Sequence, residues 1–140
     1  MKVCGIIAEF NPFHKGHAYL LEQARKQTDA DVIVVVMSGN WVQRGEPAIE
    51  QKWSRAKAAL CHGADVVIEM STAVSCQATD LFARGSVEIL QQVGCAYLAF
   101  GCEDGDVAFF ETAVIQRQAI ENEISRFVEE NRSLTFASQL

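Results

Sequence analysis

The sequence predicts an α/β fold with a doubly wound parallel sheet. Four short apolar runs, rich in β-branched residues, lack the polar alternation that marks a strand with one wet face. Such runs are typical of strands that are buried on both faces of a parallel sheet. Segments with helical periodicity separate the runs, and strands that alternate with helices predict repeated β-α units.

The strands are predicted from the apolar runs, taken in chain order. Residues 3–8 form the first run, and residues 31–37 (DVIVVVM) form a second with almost no polar interruption. Residues 64–69 and 95–100 supply the third and fourth. Each run is short and unbroken, which favours a buried strand over a helix.

The helices are predicted from apolar residues spaced three and four apart. Residues 17–26 (HAYLLEQARK) place their apolar side chains on one face, and residues 52–62 and 81–93 carry similar stripes. Residues 107–130 form a longer helical region, which we expect to contain more than one helix.

The loops that follow the strands are where we expect a ligand. In a doubly wound sheet, ligands bind beyond the carboxyl ends of the strands. The loops in question are residues 9–16, 38–51, 70–79 and 101–106. Both prolines of the chain, Pro12 and Pro47, lie in these loops.

Composition narrows the class of protein. The chain has 140 residues, 49% of them hydrophobic, which fits one folded domain with a core of its own. No run approaches the roughly 18 apolar residues of a membrane span, and the N-terminus lacks a secretory signal pattern. The net charge is −6 with no basic run, whereas a free-standing nucleic-acid binder carries a basic face. We expect a cytoplasmic protein without a membrane partner.

The cysteines indicate a reducing compartment. There are five, an odd number, and none forms a CxxC pair. We expect reduced and mostly buried thiols. We expect no protein-bound metal, because clustered Cys and His ligands at short spacing are missing.

The strongest chemical signal lies where the first strand meets the first helix. An Asn-Pro turn is followed by His14, Gly16 and His17 at the predicted helix start. A helix N-terminus offers unpaired N–H groups and a partial positive charge, which suit a phosphate. Gly16 allows close approach of the backbone. Both histidine rings can face one anion and stabilise charge that develops on it. A surface histidine pair and a metal site are the alternatives for an HxxH spacing.

Further candidates for substrate or phosphate contacts follow the second strand. Ser38 and Asn40 offer hydrogen bonds, and Arg44 could clamp a carboxylate or phosphate. Lys52 and Arg55 lie at the start of the second helix, where the helix dipole makes a positive charge unfavourable. Two cations at this position indicate that an anion is bound nearby. Solvated charges and an ordinary exposed loop are the alternatives. The candidates in this region are Ser38, Gly39, Asn40, Arg44, Lys52 and Arg55.

These motifs resemble a known family. NPFHKGH is similar to the HxGH signature of the HIGH nucleotidyltransferase superfamily, whose core is Rossmann-like. GIIAEFNPFHKGH, VVVMSGNWVQRGEPAI, KWSRAKAALCHGADVVIEM and YLAFGCED, in this order over residues 2–104, resemble the bacterial tRNA(Met) cytidine acetate ligase family. The SGN-VQRGEPA block is far more specific than HxGH alone.

The resemblance implies a reaction. Members of that family use ATP and acetate to make acetyl-adenylate with release of pyrophosphate. They then acetylate N4 of the wobble cytidine in elongator tRNA(Met). For this chain we expect Mg²⁺ to screen the charge of the triphosphate. The resemblance implies His14 and His17 as catalytic residues. It implies ATP contacts at Ile7, Ala8, Glu9, Phe10, Asn11, Pro12, Phe13, His14, Lys15, Gly16, His17, Ala18, Tyr19, Leu20 and Gly101.

Two other functions stay open. One is a small-molecule adenylyltransferase with a mononucleotide or phosphopantetheine acceptor. The other is an inactive nucleotide-binding fragment, for which a homodimer is one assembly to consider. We expect residues 1–131 to form the ATP-binding domain and residues 132–140 to begin a further region that this chain lacks. We expect that further region to bind the tRNA.

Overall fold

The computed structural model describes residues 1–102 and 107–130. The chain divides into two compact units, residues 1–101 and a second unit that begins at Cys102. In chain order the elements are β1 (Val3–Ala8), α1 (Lys15–Thr28), β2 (Val32–Ser38), α2 (Lys52–Cys61), β3 (Val66–Met70), α3 (Thr72–Ser75), α4 (Thr79–Gln92), β4 (Tyr97–Ala99) and α5 (Val107–Glu130).

The first unit is built on a four-stranded parallel sheet in the order β3-β2-β1-β4. β1 lies inside the sheet and pairs with β2 from Val3↔Val32 to Ala8↔Met37. On its other side it pairs with β4, with Cys4 opposite Tyr97. Continuous burial along β1 and β2 explains why their sequences read as unbroken apolar runs.

Helices cover the sheet on both faces, which confirms the predicted doubly wound α/β fold. One core cluster joins odd-numbered residues of β2 with α1 and α2, and its members include Ile6, Ile33, Val35, Leu21, Ala24 and Ala59. The cluster on the opposite face joins even-numbered residues of β2 with α4, and its members include Val3, Val34, Val36, Met70 and Leu90. Successive side chains of β2 therefore point to opposite faces of the sheet and pack into the two different core clusters.

A glycine lets α4 approach the centre of β1. A Cβ at Gly5 would lie 2.7 Å from both δ carbons of Leu90. Leu90 is buried in the second cluster, so the missing side chain makes room for helix-sheet packing.

The strand order places a crevice at one edge of the sheet. The chain runs outward from β1 through β2 to β3, then crosses to the other side of β1 to form β4. Ligands of open α/β sheets bind at such a reversal, outside the carboxyl ends of the strands. The segment after Ala8 and the segment after Ala99 flank this position.

Element boundaries differ from the prediction by a few residues. β2 and β3 end one residue later than predicted, and β4 covers only three residues. The first helix begins two residues earlier, at Lys15, because His14 caps it. A short helix, α3, follows β3 and was not predicted.

In the second unit, the region expected to hold more than one helix is a single helix of 24 residues, α5. An ion pair between Arg117 and Glu121, one turn apart, lies on its surface. The predicted further region at residues 132–140 lies outside the described residues. The predicted domain of residues 1–131 stays a prediction.

The expectation of mostly buried thiols is wrong. Cys4 is buried and Cys95 is half-buried, but Cys61, Cys76 and Cys102 are exposed, and all five are free. Cys4 lies on the central strand, whereas the exposed three lie at or beyond the ends of elements, where few neighbours cover them.

Candidate functional site

The turn after β1 holds a buried aromatic residue in an unusual backbone conformation. Phe10 has a φ of 49°, and its side chain is 1% exposed. The left-handed region is uncommon for a large L residue and costs about 1–3 kcal/mol, so the surrounding packing must hold it. The ring of Phe10 packs edge-on against Phe13 at 5.0 Å and against His17 at 4.8 Å. Strain of this kind is found preferentially at functional sites.

His14 and His17 cap the start of α1 with their rings. Nδ1 of His14 accepts from the N–H of Gly16 at 3.1 Å, and Nδ1 of His17 accepts from the N–H of His14 at 3.3 Å. This is a capping box made by two histidines, in place of the Ser/Thr and Glu/Gln that usually form one. The rings stack at 3.7 Å with an interplanar angle of 25°.

The capping bonds assign the tautomer of both rings. A neutral imidazole that accepts on Nδ1 carries its proton on Nε2. Each ring therefore keeps an Nε2–H donor, and neither donor has a hydrogen-bond partner among the residues that the structure describes. The sequence predicted that free helix N–H groups would receive the phosphate, but the N–H of Gly16 already has an acceptor in the ring of His14. In this arrangement each ring still carries an Nε2–H donor.

The surroundings of His17 favour its neutral form. Burial lowers the pKa of His17, and repulsion from the neighbouring His14 lowers it further. The neutral state is the one that keeps Nδ1 as an acceptor. Packing and capping thus favour the same protonation state.

Gly16 lies directly beneath the ring of His14. A Cβ at Gly16 would be 3.0 Å from Cε1 and 3.1 Å from Nδ1 of that ring. The glycine therefore permits the stacked arrangement as well as a close ligand approach.

An open cavity of about 710 Å³ borders His14 at the start of α1. Its walls combine aromatic rings, a lysine and a carboxylate, and the lining residues are Phe13, His14, Lys15, Ala18, Tyr19, Glu22 and His62. His62 stacks near Phe13 at 5.1 Å. Nothing in the spacing of His62 from His14 along the sequence indicates that the two would share a cavity.

The structure brings together most of the residues implied as ATP contacts. Phe10, Phe13, His14 and His17 form one ring cluster, and Lys15, Ala18 and Tyr19 lie beside it. Leu20 instead packs against the core. Gly101 is exposed just beyond β4, across the sheet-order reversal from the β1 turn.

The segment after β2 is an ordered hairpin. Trp41 and Pro47 form an antiparallel bridge, and the N–H of Val42 donates to the carbonyl of Glu46 at 3.0 Å. Gly45 sits in the turn with a φ of 76°, a value that glycine adopts without strain.

Side chains from the β1 turn fasten this hairpin. Glu9 Oε1 accepts from the N–H of Gln43 at 2.6 Å, and Asn11 Oδ1 accepts from the N–H of Ile49 at 2.7 Å. Glu9 and Asn11 were expected to contact ATP, and the structure shows both side chains bonded to the hairpin backbone. The β1 turn and the hairpin therefore form one connected rim.

The candidates on this hairpin differ in exposure. Ser38 and Gly39 are buried, and the hydroxyl of Ser38 has no hydrogen-bond partner in the described residues. Asn40 and Arg44 are exposed. Asn40 lines a second open cavity of about 460 Å³ together with Lys52.

Arg55 and Lys52 have protein partners that the prediction did not foresee. Arg55 is 0% exposed and bonds to backbone carbonyl oxygens rather than facing the solvent. Lys52 Nζ contacts both carboxylate oxygens of Glu69, at 2.8 and 2.7 Å. The cations at the start of α2 are therefore balanced by carbonyl groups and by a carboxylate at the end of β3.

Two further properties of the described residues bear on the kind of site. In the described residues, no group of three or more His, Cys, Asp or Glu side chains is placed to hold a metal ion. Across the same part of the chain, no helix has the length and apolar character needed to cross a membrane.

Comparison with known proteins gives consistent matches. Residues 1–140 match the family model described as HIGH Nucleotidyl Transferase. The chain is 53% identical over 119 residues to a tRNA(Met) cytidine acetate ligase of Pediococcus pentosaceus, covering 84% of this chain and 32% of that protein. It is 44% identical over 137 residues to the enzyme of that name from a Geobacillus species, covering 95% of this chain and 34% of that protein.

A solved structure shares the fold. The crystal structure of Thermotoga maritima TmcAL bound with alpha-thio ATP superposes with a TM-score of 0.82 at 37% identity, covering 99% of this chain and 34% of that chain. The chain thus spans about a third of the length of the relatives it matches.

Proposed function

The chain belongs to the HIGH nucleotidyltransferase family, and from this premise we propose that it binds ATP and activates acetate as acetyl-adenylate. The observation that carries the proposal is the stacked pair of His14 and His17 at the start of α1, with both Nε2–H groups free to meet an anion. The ATP-analogue complex of the Thermotoga protein supports ATP as the nucleotide.

The ATP would lie across the reversal in strand order. Its triphosphate meets the rings of His14 and His17, and the glycine between them lets the chain approach the phosphates. Gly101 beyond β4 bounds the other side, where the glycine adds no side chain of its own. The position agrees with ligand binding outside the carboxyl ends of strands.

The reaction is a substitution at the α-phosphorus. A carboxylate oxygen of acetate forms a new bond to this phosphorus, the bond to the bridging oxygen breaks, and pyrophosphate leaves with the electron pair. The two rings stabilise the charge on the phosphate oxygens through their Nε2–H donors, and most of the catalysis is positioning and charge stabilisation. No covalent enzyme intermediate is required.

Magnesium fits this scheme as a companion of the nucleotide. Mg²⁺ is commonly bound through substrate phosphates and water rather than by an all-protein cage, and the described residues contain no such cage. When bound, it would neutralise phosphate charge. The protein contribution stays with the ring donors and the helix start.

We propose that the final acceptor of the acetyl group is N4 of the wobble cytidine in elongator tRNA(Met), and that the reaction takes place in the cytoplasm. The names of the relatives at 44–53% identity support this acceptor. This chain has a net charge of −6, which offers little attraction for RNA phosphates. We therefore propose that the tRNA-binding surface of those relatives lies in the two thirds of their length that this chain does not match.

Trapping the adenylate tests the proposal. The protein is incubated with ATP, Mg²⁺, acetate and hydroxylamine, which converts an acyl-adenylate into a hydroxamate and AMP. We expect acetohydroxamate and AMP in equal amounts, and neither product without acetate. ATP binding without either product would leave a nucleotide-binding fragment and contradict the proposed activity.

A further inference from the structure

A single buried guanidinium gathers the carbonyl groups at the carboxyl ends of two strands. Arg55 Nη1 donates to the carbonyl of Glu9 at 2.5 Å and to that of Ser38 at 3.1 Å. Its Nη2 donates to the carbonyl of Gly39. Its Nε donates to the carbonyl of Glu50 at 3.0 Å. The side chain is 0% exposed, so these bonds are not shared with solvent.

The acceptors belong to the two segments that form the rim of the site. Glu9 follows β1 and precedes the strained Phe10, while Ser38 and Gly39 begin the hairpin. β1 and β2 are neighbours, with Ala8 opposite Met37, so both segments leave the sheet side by side. One rigid group therefore sets the distance between the histidine turn and the hairpin.

The chemistry of this contact is specific to arginine. A guanidinium presents five donors in a rigid planar fork, whereas a lysine has one ammonium at the end of a flexible stem. Burial lowers the pKa of Arg55, and the carboxylates of Glu9, Glu50 and Glu69 oppose that shift. Arginine stays charged in proteins, so its bonds to carbonyl oxygens are charge-assisted.

We propose that Arg55 is a positioning residue of the nucleotide site: it holds the Glu9–His14 turn against the Ser38–Gly39 segment, and so sets the place of the histidine pair. The role is distinct from the phosphate contact predicted for this residue, because the guanidinium touches only backbone carbonyl groups. It rests on the proposed function insofar as the site binds ATP.

A second arginine provides a matched control at the opposite edge of the same sheet. Arg25 donates to the carbonyls of Ala30, Asp31 and Gly63 at 3.1, 3.2 and 2.9 Å. It also pairs with Asp65. These acceptors precede β2 and β3. Arg25 therefore joins the amino ends of these strands, whereas the candidate site lies at the carboxyl ends. Replacing either arginine by lysine keeps the charge and removes the fork.

The test compares Arg55→Lys with Arg25→Lys in amide hydrogen exchange and in ATP binding by calorimetry. We expect Arg55→Lys to speed exchange in residues 9–17 and 38–48 and Arg25→Lys to speed it in residues 29–33 and 62–66. We expect Arg55→Lys to weaken ATP binding by about tenfold, which corresponds to the loss of one hydrogen bond between the displaced site and the nucleotide. Arg25→Lys should leave ATP affinity nearly unchanged even at the same loss of melting temperature.

The outcomes separate this inference from the proposed function. Exchange in residues 9–17 and 38–48 that is no faster in Arg55→Lys than in Arg25→Lys would overturn the inference, as would an equal loss of ATP affinity in both variants. A wild-type protein that binds no ATP would contradict the proposed function, while the exchange comparison still decides whether Arg55 holds the two segments together. Should Arg55→Lys not fold, Arg55→Gln, which keeps a planar donor, takes its place.

Discussion

His14 and His17 stack ring on ring at 3.7 Å while each accepts a hydrogen bond from a backbone N–H through Nδ1. The two side chains therefore occupy the N–H groups of Gly16 and His14, and each ring keeps an Nε2–H as a further donor. A ring that accepts from the backbone at Nδ1 presents its Nε2–H on the opposite side, so we propose that capping and anion binding are coupled.

Replacing His17 by alanine tests the catalytic half of this coupling. We expect His17→Ala to lower acetate-dependent adenylation by about 100-fold or more, the scale of removing one preorganised donor. Loss of its capping bond should cost about 1 kcal/mol of folding free energy. Adenylation is followed by hydroxamate formation, and stability by urea unfolding.

His62→Ala is the control for that substitution. The ring of His62 also lies beside that of Phe13, with 5.1 Å between the ring centroids. It makes no capping bond at the start of α1, and its Nδ1 instead forms a hydrogen bond with the carbonyl oxygen of Ala58. Its replacement removes a wall of the cavity but neither ring of the stacked pair, so adenylation should fall far less than in His17→Ala. Unaltered adenylation in His17→Ala would remove this ring from the mechanism.

The lowered pKa of His17 predicts a pH dependence of stability. Burial and the neighbouring His14 lower its pKa in the folded state, so the unfolded chain binds the proton more strongly. The resulting contribution to stability is complete above the ordinary histidine pKa of about 6.5 and is lost as pH falls through the lowered value. Urea unfolding from pH 7.5 downward should show this loss in the wild type and less of it in His17→Gln. An equal pH slope in both proteins would show that other groups cause it.

Gly16→Ala separates site geometry from helix stability. Alanine normally stabilises a helix by roughly 0.5–1 kcal/mol over glycine, but here its Cβ would press on the ring of His14 at 3.0 Å. We expect an unchanged or higher melting temperature together with about tenfold weaker ATP binding, equal to one lost hydrogen bond of about 1.4 kcal/mol. Calorimetry with ATP measures the affinity, and full affinity in this variant would mean that the ring position does not matter.

Gly101→Ala probes the opposite side of the crevice. Among the described residues, no atom lies within 4 Å of the Cβ that alanine would add. The substitution should therefore leave stability unchanged and weaken ATP binding only through contact with the nucleotide itself. Equal ATP affinity in the variant and the wild type would remove Gly101 from the site.

Gly5→Ala tests the packing beneath the site. Its Cβ would lie 2.7 Å from the δ carbons of Leu90, and overpacking of a core typically costs about 1–3 kcal/mol. Leu90→Val in the same chain should recover part of that loss, which denaturant unfolding of the four proteins of the cycle would measure. Strictly additive losses would show that the two residues do not compete for space.

The strands and the site loop were predictable because their signals are local. β1 is found at its predicted bounds, since an unbroken apolar run shows a strand buried on both faces. The histidine turn was singled out by residue types at short spacing. The capping role of the rings was not predicted, because capping-box rules expect Ser or Thr with Glu or Gln.

The long-range partners were not predictable from local patterns. Arg55 reads as a cation at a helix start, yet its acceptors Glu9 and Ser38 lie 46 and 17 residues away in sequence. Every residue has a backbone carbonyl group, so a sequence does not show which carbonyl groups a side chain will bond. An arginine that binds backbone carbonyls and an arginine that binds an anion therefore have the same appearance in the sequence. Lys52 and Glu69 are a similar case, since only the strand order brings them together.

Pyrophosphate exchange tests the central claim most directly. The protein is incubated with Mg²⁺, ATP and labelled pyrophosphate, with acetate, with nicotinamide mononucleotide, or with no acceptor, and label entering ATP is counted. We predict exchange with acetate and none in the other two reactions, because only the carboxylate forms a reversible adenylate at this site. Exchange with the mononucleotide, or no exchange with acetate while ATP still binds, would contradict the assignment of this chain as an acetate-activating nucleotidyltransferase.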